Sequence, residues 1–487
     1  MTIIKKWTVA LSLISIGRFL WVSVTQVLYP VDLIFESPTW NTALLLHKGI
    51  NIYSAQTYDA PPFNLNIYTP LYFVLVSFMP GFSHAPLAVG RMVSLFFALA
   101  SAALLIVTTA SRNRMQMGLI GVGWLFLFTP VLVNGAFFRM EFMALFFSAC
   151  AVAALRRAPL NSKATAIAAL FAFFSVMSKQ TYIAAPVACF IYLLWSNLRQ
   201  AFRFAALFCL FLGFSFFCFY QFIGEDFFWS ILVAPRNPLR LDLFMSNLGY
   251  MFTPSFFVLV GLSAAACYGI LRSAASRPGL LNAVYFLTSW TWLFASLGKI
   301  GATTNYFIEP LFASVWLLLT WIDAQEEHWQ ARPICRYALV LLPLALTADA
   351  LITRNEPHYL RPPAQNTPER FQMIKREMES LNIPSSPRVL NLVLTTHSLS
   401  VGWDLYLNDP ILYPVLWNTG TLSNRSLLAA IDDGYFDLIA LPRGSRPRPE
   451  PRQLTPVQQV YQHVFDRYQL KSESTFAYYL PRNPRGR

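Results

Sequence analysis

The stretch Thr69–Phe82 reads TPLYFVLVSFMPGF, and its short length decides how the rest of the chain is arranged. It is apolar, but Pro70, Pro80 and Gly81 interrupt it. A helix of its 14 residues would be only about 21 Å long, which is less than the roughly 30 Å of a bilayer's hydrocarbon core. We therefore predict that this stretch lies along the membrane surface and does not cross it.

Longer apolar runs surround this stretch on both sides. The chain of 487 residues is 55% hydrophobic and only 13% charged, a composition typical of a membrane protein and not of a soluble domain. Each run is close to the length of one bilayer crossing. We predict eleven transmembrane helices, over residues 7–29, 89–110, 117–135, 140–155, 164–178, 181–196, 203–223, 251–272, 280–297, 306–322 and 337–353.

The basic residues agree with this arrangement. If Thr69–Phe82 does not cross, the Lys and Arg residues of the short loops collect on one side of the membrane, as the positive-inside rule requires. These residues are Lys5, Lys6, Arg112, Arg114, Arg156, Arg157, Lys163, Arg199, Arg203, Arg272, Arg277, Arg332 and Arg336. The N-terminus is then cytoplasmic and the C-terminus extracytoplasmic. The formal net charge of +13 thus indicates contact with membrane lipids and argues against a nucleic-acid partner.

The tail beyond residue 353 has a different composition, richer in Pro, Asn and Arg, and contains no further run long enough to span. Its patterns predict strands at 388–395, 435–441 and 475–480, and helices at 368–382, 424–433 and 456–468. We predict a small extracytoplasmic α/β domain with a largely parallel sheet over residues 354–487, beside a transmembrane domain over residues 1–353. The tail has no Gly-rich phosphate loop and no nucleophile elbow, which indicates a supporting role.

Two acids follow the predicted end of the first span. Asp32 and Glu36 are four residues apart and would share one side of a helix. Carboxylates beside the hydrocarbon edge suit a general base that meets both a lipid-borne and a polar substrate. Glu36 is the preferred base because it begins an amphipathic helix, with Pro38 in the first turn, where the helix dipole keeps a carboxylate ionised. Asp32 is the second choice, and the alternative is that both are ordinary solvated loop acids.

Further charged residues lie at the same predicted face. Arg139 and Glu141 stand at the mouth of the fourth span, where they either form a local ion pair that anchors the helix or bind substrate. Lys179 and Gln180 occupy the tight corner between the fifth and sixth spans. A Lys in this corner either reaches lipid headgroups or neutralises a substrate phosphate.

The loop before the tenth span contributes a last polar group. Lys299, Asn305, Tyr306 and Glu309 precede Pro310 there. An aromatic residue beside an amide and a carboxylate suits the recognition of a sugar, although Tyr is also common at membrane interfaces. The six histidines are scattered without the spacing of metal ligands, so they give no support for a metal site.

Several short motifs, in this order along nearly the whole chain, resemble those of the polytopic GT-C glycosyltransferases. The similarity is to uncharacterised bacterial members related to the protein mannosyltransferases and the lipid A aminoarabinose transferase. The motifs are G-x-x-x-Y (Gly49–Tyr53), Y-T-P-L-Y (Tyr68–Tyr72), G-R-x-V-S (Gly90–Ser94), R-x-E (Arg139–Glu141), S-K-Q-T (Ser178–Thr181) and N-Y (Asn305, Tyr306).

This resemblance implies that a sugar is transferred, with inversion at the anomeric carbon, from a polyprenyl-phosphate donor to an envelope glycan, lipid or protein. The reaction would occur at the extracytoplasmic face of a bacterial inner membrane. Glu36 or Asp32 would take the proton from the acceptor hydroxyl. Lys179, Arg139 or Lys299 would stabilise the departing lipid phosphate as its negative charge grows.

The resemblance also places Tyr68, with Gln180, Asn305 and Tyr306, among the substrate-binding residues. A divalent metal ion, Mg²⁺ or Mn²⁺, is a candidate cofactor, with Glu141 as its candidate ligand.

Two other classes of function are compatible with the same residues. A transporter or flippase of a lipid-linked glycan would use the same basic and aromatic groups, but it predicts polar residues through the full depth of the helices. A non-catalytic subunit of a polysaccharide assembly complex would use the tail as a docking domain. The crowding of polar residues at one face favours the enzyme.

Overall fold

The structure is a computed structural model. It describes residues 2–32, 36–109, 114–156, 160–236, 238–272, 277–324, 368–381, 383–384, 386–393, 399, 403–445, 454–473 and 476–482. Sixteen α-helices are described between residues 2 and 324: α1 (Thr2–Leu28), α2 (Ser37–His47), α3 (Ala55–Tyr58), α4 (Leu71–Ser77), α5 (Pro86–Thr108), α6 (Arg114–Leu127), α7 (Thr129–Asn134), α8 (Glu141–Arg156), α9 (Ser162–Ser178), α10 (Ala184–Ser196), α11 (Leu198–Ile223), α12 (Glu225–Phe228), α13 (Leu241–Leu248), α14 (Pro254–Arg272), α15 (Arg277–Ser296) and α16 (Ile308–Ala324).

The long apolar helices coincide with the first ten predicted spans, the third of which is divided between α6 and α7. Among the described helices, five are long and apolar enough to cross a membrane by length and composition: α1, α5, α11, α14, and α16 with the turn before it. The chain is therefore a multi-pass membrane protein. The predicted eleventh span at 337–353 and the predicted domain boundary after residue 353 lie outside the described residues.

The stretch Thr69–Phe82 is confirmed as a juxtamembrane segment. It forms only the short helix α4, which spans 7 residues and is about 10 Å long. The helix packs against the start of α5, where the Tyr72 hydroxyl donates a hydrogen bond to the Gly90 carbonyl oxygen over 3.1 Å. A Cβ atom on Gly90 would lie 2.4 Å from the ring of Phe138, so only glycine lets the Phe138 ring pack this closely against α5.

A buried ion pair joins residues 30–88, which the sequence predicts as the first outer loop, to the helical bundle. The Arg91 guanidinium of α5 donates from Nε to Glu36 Oε1 over 2.9 Å and from Nη2 to Glu36 Oε2 over 2.5 Å. The Phe138 backbone N–H also donates to Glu36 Oε1, over 2.7 Å. Both Arg91 and Glu36 are completely buried. Their charges therefore compensate each other in a region from which water is excluded.

The same guanidinium also binds the end of α1. Its Nη1 donates to the carbonyl oxygens of Gln26 and Tyr29, and its Nη2 to that of Val31. Gln26 lies in the last turn of α1, and Tyr29 and Val31 follow its end. The guanidinium thus gives charged hydrogen-bond donors to carbonyl groups of a segment that leaves the helix in an apolar region. Arg91 thus fixes the positions of α1, α2 and α5 relative to one another.

The C-terminal region forms a small α/β domain, as predicted. Its helices are α17 (Pro368–Glu379), α18 (Leu412–Asn418), α19 (Arg425–Asp432) and α20 (Pro456–Arg467). Its strands are β1 (Val389–Asn391), β2 (Leu438–Leu441), β3 (Tyr468–Glu473) and β4 (Ala477–Pro481), in the sheet order β1-β2-β4-β3.

The prediction of a largely parallel sheet was wrong. Only β1 and β2 pair in parallel, and both β2–β4 and β3–β4 are antiparallel. The error arose at β3, which follows α20 directly and carries mostly exposed polar residues, so that it lacks the apolar run by which a strand is recognised. A few residues are enough to join β3 to β4 as a hairpin, whereas a parallel pair needs a long crossover.

The α/β domain packs directly on the first outer loop. The backbone N–H of Asn408 donates to the Phe63 carbonyl oxygen over 3.1 Å. The Asn408 side-chain amide forms two hydrogen bonds with the backbone of Leu65, of 3.0 and 2.9 Å. The Tyr413 hydroxyl donates to the Tyr58 carbonyl oxygen over 3.0 Å. The loop and the domain thus share one interface. The loop is held by the C-terminal domain through these contacts and by the bundle through Arg91.

The Glu36–Arg91 pair generates a stability prediction. Glu36→Gln leaves the guanidinium charge buried without its counter-charge, so we expect a loss of about 3–5 kcal/mol of folding free energy. Thermal unfolding of the purified protein, followed by size-exclusion chromatography, measures this change. Asp242→Asn is the matched control, because Asp242 pairs with Arg240 on an exposed surface and its loss should leave the melting temperature unchanged. A Glu36→Gln protein as stable as the wild type would contradict the prediction.

Candidate active site between the bundle and the C-terminal domain

Three residues predicted as separate parts of the site form one buried cluster. Glu141 Oε1 accepts hydrogen bonds from Lys179 Nζ over 2.8 Å and from Asn305 Nδ2 over 2.6 Å. All three side chains are buried. Glu141 Oε2 is also buried, and it has no hydrogen-bond partner in the structure. The cluster therefore combines a compensated charge pair with one acceptor that is still available.

The positions of these two charges follow from the helices that carry them. Glu141 is the first residue of α8, and Lys179 follows the last residue of α9. A negative charge is stabilised at a helix N-terminus and a positive charge at a helix C-terminus. Because α8 and α9 are packed as neighbours, the N-terminus of α8 adjoins the C-terminus of α9. The two helix dipoles thus stabilise the pair that connects them.

Two tyrosines flank the Lys179 ammonium. Its nitrogen lies 5.7 Å from the ring centre of Tyr68 and 5.4 Å from that of Tyr306. Gln180 Nε2 donates to the Ile67 carbonyl oxygen over 2.5 Å, which holds the first outer loop beside this corner. Burial raises the pKa of Tyr68 above its ordinary value, so its hydroxyl remains protonated and can donate a hydrogen bond at neutral pH.

A cavity opens beside this cluster, between α15 and α16. Its walls are formed by Lys179, Thr181, Tyr182, Ser289, Trp292, Leu293, Ser296, Asn305, Tyr306, Glu309 and Pro310. Lys179 and Glu309 thus both contribute to the wall of one cavity.

The other two predicted cations do not line the cavity, although the charge of Arg139 acts on Glu141 and on Tyr68. Lys299 is partly exposed, and its ammonium lies 6.0 Å from the ring centre of Trp292. Arg139 is also partly exposed, with its guanidinium 6.0 Å from the ring centre of Phe137.

The two first-loop acids are buried and bound to backbone or to Arg91. Glu36 caps α2, and its carboxylate accepts from Arg91 and from the Phe138 N–H. The two oxygens of Asp32 accept from the backbone N–H groups of Glu36 and Ser37, over 3.0 and 2.9 Å. Their assignment as the general base stays a prediction.

Sequence reasoning missed the contribution of the C-terminal domain to this region. Asp409 follows Asn408, and its Oδ1 accepts from the backbone N–H groups of Ile411 and Leu412 over 3.0 and 2.8 Å. Burial raises the pKa of Asp409 above its ordinary value, and the nearby positive charge of Arg139 offsets part of this rise. The only sequence signal was the turn-forming pair Asp409-Pro410 in a tail that had been given a supporting role.

Sequence reasoning also missed Tyr182, Ser289 and Trp292 in the wall of the cavity. They belong to long apolar segments, in which Ser, Tyr and Trp are common without any binding role. Nothing in the sequence distinguishes them from the aromatic residues that face lipid.

The residues of the cluster do not fit a divalent metal. Within the described ranges, no group of three His, Cys, Asp or Glu side chains is close enough to hold an ion. Glu141, the candidate ligand, is bound to the Lys179 ammonium, which occupies the place that a metal would take beside that oxygen. The Lys179 ammonium and a divalent metal ion beside the same carboxylate oxygen would repel each other, and this repulsion would weaken the binding of either cation to Glu141.

No protein-family model and no curated protein sequence matches the chain. Solved structures do match. ArnT from Cupriavidus metallidurans in the apo state gives a TM-score of 0.61 at 12% identity, with 97% of each chain covered. The same protein bound to undecaprenyl phosphate gives 0.59 at 11% identity, with 97% of this chain and 98% of that chain covered.

A third similar structure is the archaeal oligosaccharyltransferase AglB from Archaeoglobus fulgidus, in complex with an inhibitory peptide and a dolichol-phosphate. Its TM-score is 0.53 at 13% identity, with 89% of this chain and 69% of that chain covered. ArnT and AglB are both members of the GT-C superfamily. The chain therefore shares the GT-C fold of these structures.

Proposed function

We propose that the protein transfers a glycosyl group from a polyprenyl-phosphate donor to a hydroxyl group of an envelope acceptor. The transfer takes place on the side of the membrane that carries the C-terminal domain, which we take to be the extracytoplasmic side of a bacterial inner membrane. The observation that carries the proposal is the buried Lys179 ammonium, held by Glu141 and flanked by Tyr68 and Tyr306 at the mouth of a cavity. The similarity to structures that bind polyprenyl phosphates supports the donor class.

The chemistry requires a cation where the donor phosphate leaves. As the bond from the anomeric carbon to the phosphate oxygen breaks, the lipid phosphate gains one negative charge. Lys179 uses one of its three N–H donors for Glu141, so the remaining two are available to phosphate oxygens. A fixed ammonium in a water-poor site stabilises the growing charge more than the smaller charge of the bound donor, and therefore lowers the barrier.

Inversion also requires a base that takes the proton from the acceptor hydroxyl while its oxygen attacks the anomeric carbon. Of the two predicted bases, we propose Asp32. Glu36 is bound by a guanidinium through both oxygens, and such an ion pair strongly reduces the basicity of a carboxylate. Asp32 accepts from neutral backbone N–H groups, which reduce it less.

The leaving-group role of Lys179 has a direct test. We expect Lys179→Met to lower turnover about 10²- to 10³-fold, since it removes the stabilising charge. Transfer of labelled sugar from a panel of undecaprenyl-phosphate sugars to envelope extract, in proteoliposomes, measures turnover. Lys48→Met is the matched control, because Lys48 is exposed and pairs with Asp404 at the surface.

Lys179→Met alone leaves Glu141 buried without its counter-charge, so loss of activity could reflect loss of fold. The double variant Lys179→Met with Glu141→Gln removes both charges, and it should fold while remaining inactive. A folded double variant that transfers sugar at the wild-type rate would refute the role of Lys179. Labelled lipid that crosses the bilayer without any sugar transfer would instead support the flippase.

The choice of base is tested by Asp32→Asn. We expect turnover per folded molecule to fall by about 10²- to 10⁴-fold, the usual contribution of a general base. The carboxamide keeps one acceptor oxygen for the start of α2, so the protein should remain folded. Asp404→Asn, at an exposed acid of the C-terminal domain, serves as the control. Full activity of Asp32→Asn would return Glu36 as the candidate base.

A further inference from the structure

The cavity beside Lys179 contains polar groups that the proposed reaction does not use. The Tyr182 hydroxyl and the Trp292 Nε1–H both belong to cavity-lining residues, and both atoms are buried without a hydrogen-bond partner. Tyr182 is only 5% exposed. A buried polar atom without a partner costs roughly 1–3 kcal/mol. Two such donors in the wall of one cavity indicate a ligand that accepts hydrogen bonds.

The same cavity also offers acceptors. Glu309 Oε1 accepts from the Tyr285 hydroxyl over 3.0 Å, and within the described residues Glu309 has no cation to pair with. The hydroxyls of Ser289 and Ser296 donate to backbone carbonyls of their own helix, over 2.9 and 2.7 Å. Their oxygens therefore remain able to accept a hydrogen bond from a ligand.

A neutral sugar ring matches this mixture of groups, because each of its hydroxyls can both donate and accept. Lipid chains have no polar groups to offer. Asn305, in the turn before α16, and Glu309, in the first turn of α16, both line the cavity.

We infer that this cavity binds the glycosyl ring of the donor, and that Tyr182, Trp292 and Glu309 determine which sugar the protein accepts. The inference rests on the proposed function, since it places the ring beside the phosphate that Lys179 binds. Tyr182 and Trp292 donate hydrogen bonds to ring hydroxyl oxygens, and Glu309 accepts one from a ring hydroxyl. A hydroxyl of the wrong configuration leaves these buried groups unpaired, which is a strong basis for selection.

The test compares two ligands that differ only in the ring. Dissociation constants are measured in detergent for undecaprenyl phosphate and for undecaprenyl phosphates that carry glucose, galactose, N-acetylglucosamine or arabinose. We expect the wild type to bind at least one glycosylated lipid more tightly than the bare lipid. Tyr182→Phe and Trp292→Phe should each weaken that preferred ligand about 3- to 10-fold, the effect of one net hydrogen bond. Binding of bare undecaprenyl phosphate should not change.

Two matched variants control for the loss of a hydroxyl or an indole elsewhere. Tyr220 and Trp195 are 46% and 66% exposed on the outside of the bundle, so Tyr220→Phe and Trp195→Phe should leave both dissociation constants unchanged. Glu309→Gln supplies a further measurement. We expect it to weaken the preferred glycosylated lipid about 3- to 10-fold and to spare the bare lipid, since it replaces one hydrogen-bonding oxygen in the cavity wall by an amide group.

The outcomes separate the inference from the proposed function. If the wild type binds the bare lipid and every glycosylated lipid equally, or if the cavity variants weaken both kinds of ligand alike, the cavity does not bind the ring, although the lipid-phosphate site remains. If neither kind of lipid binds to the wild type, the proposed function fails and the inference fails with it. Selective loss of the glycosylated ligand in the cavity variants supports both.

Discussion

The buried ion pair of Arg91 and Glu36 is the constraint on which the rest of this arrangement depends. A single guanidinium binds carbonyl oxygens at and just after the end of α1, and it binds the carboxylate of Glu36, the N-cap residue of α2. That carboxylate in turn binds the Phe138 N–H. The end of α1, the start of α2, helix α5 and the segment before α8 therefore meet at one point. Because the charges are enclosed, separating them would expose each to an apolar medium without a partner. The first outer loop, and with it Tyr68, is held in place by this cost.

The Glu141–Lys179 pair is also a buried pair of opposite charges, but it differs in the atoms that it leaves available. Its charges are also buried and compensated, but one carboxylate oxygen and two ammonium protons remain available for other partners. The helix termini that carry them favour the sign of charge that each bears. A site built in this way requires little reorganisation when a charged group enters, because its dipoles are already oriented. The Arg91–Glu36 pair thus stabilises the fold, whereas the Glu141–Lys179 pair retains atoms that can bind a ligand.

Much of the fold could be predicted because apolar runs and loop charges are strong local signals. The juxtamembrane position of Thr69–Phe82 followed from its short, interrupted apolar run together with the side on which the basic loop residues collect. The site was harder. Glu141, Lys179 and Asn305 are each predicted from the sequence as substrate-binding candidates, but their contact depends on the packing of α8, α9 and the turn before α16, which no local pattern encodes. The partner of Glu36 was hidden for the same reason, since Arg91 lies 55 residues away in sequence. The antiparallel pairing of β3 was missed because an exposed strand has no apolar run.

The contacts between the first outer loop and Asn408 have a consequence for biosynthesis. The loop containing Phe63 and Leu65 is synthesised early, whereas its hydrogen-bond partner Asn408 is added after all sixteen helices described between residues 2 and 324. A nascent chain that has completed this bundle therefore still has an incomplete loop. The loop reaches its final position only when residue 408 has been translated and has arrived on the same side of the membrane. A ribosome that stalls late thus yields an inserted protein whose first outer loop lacks these hydrogen bonds.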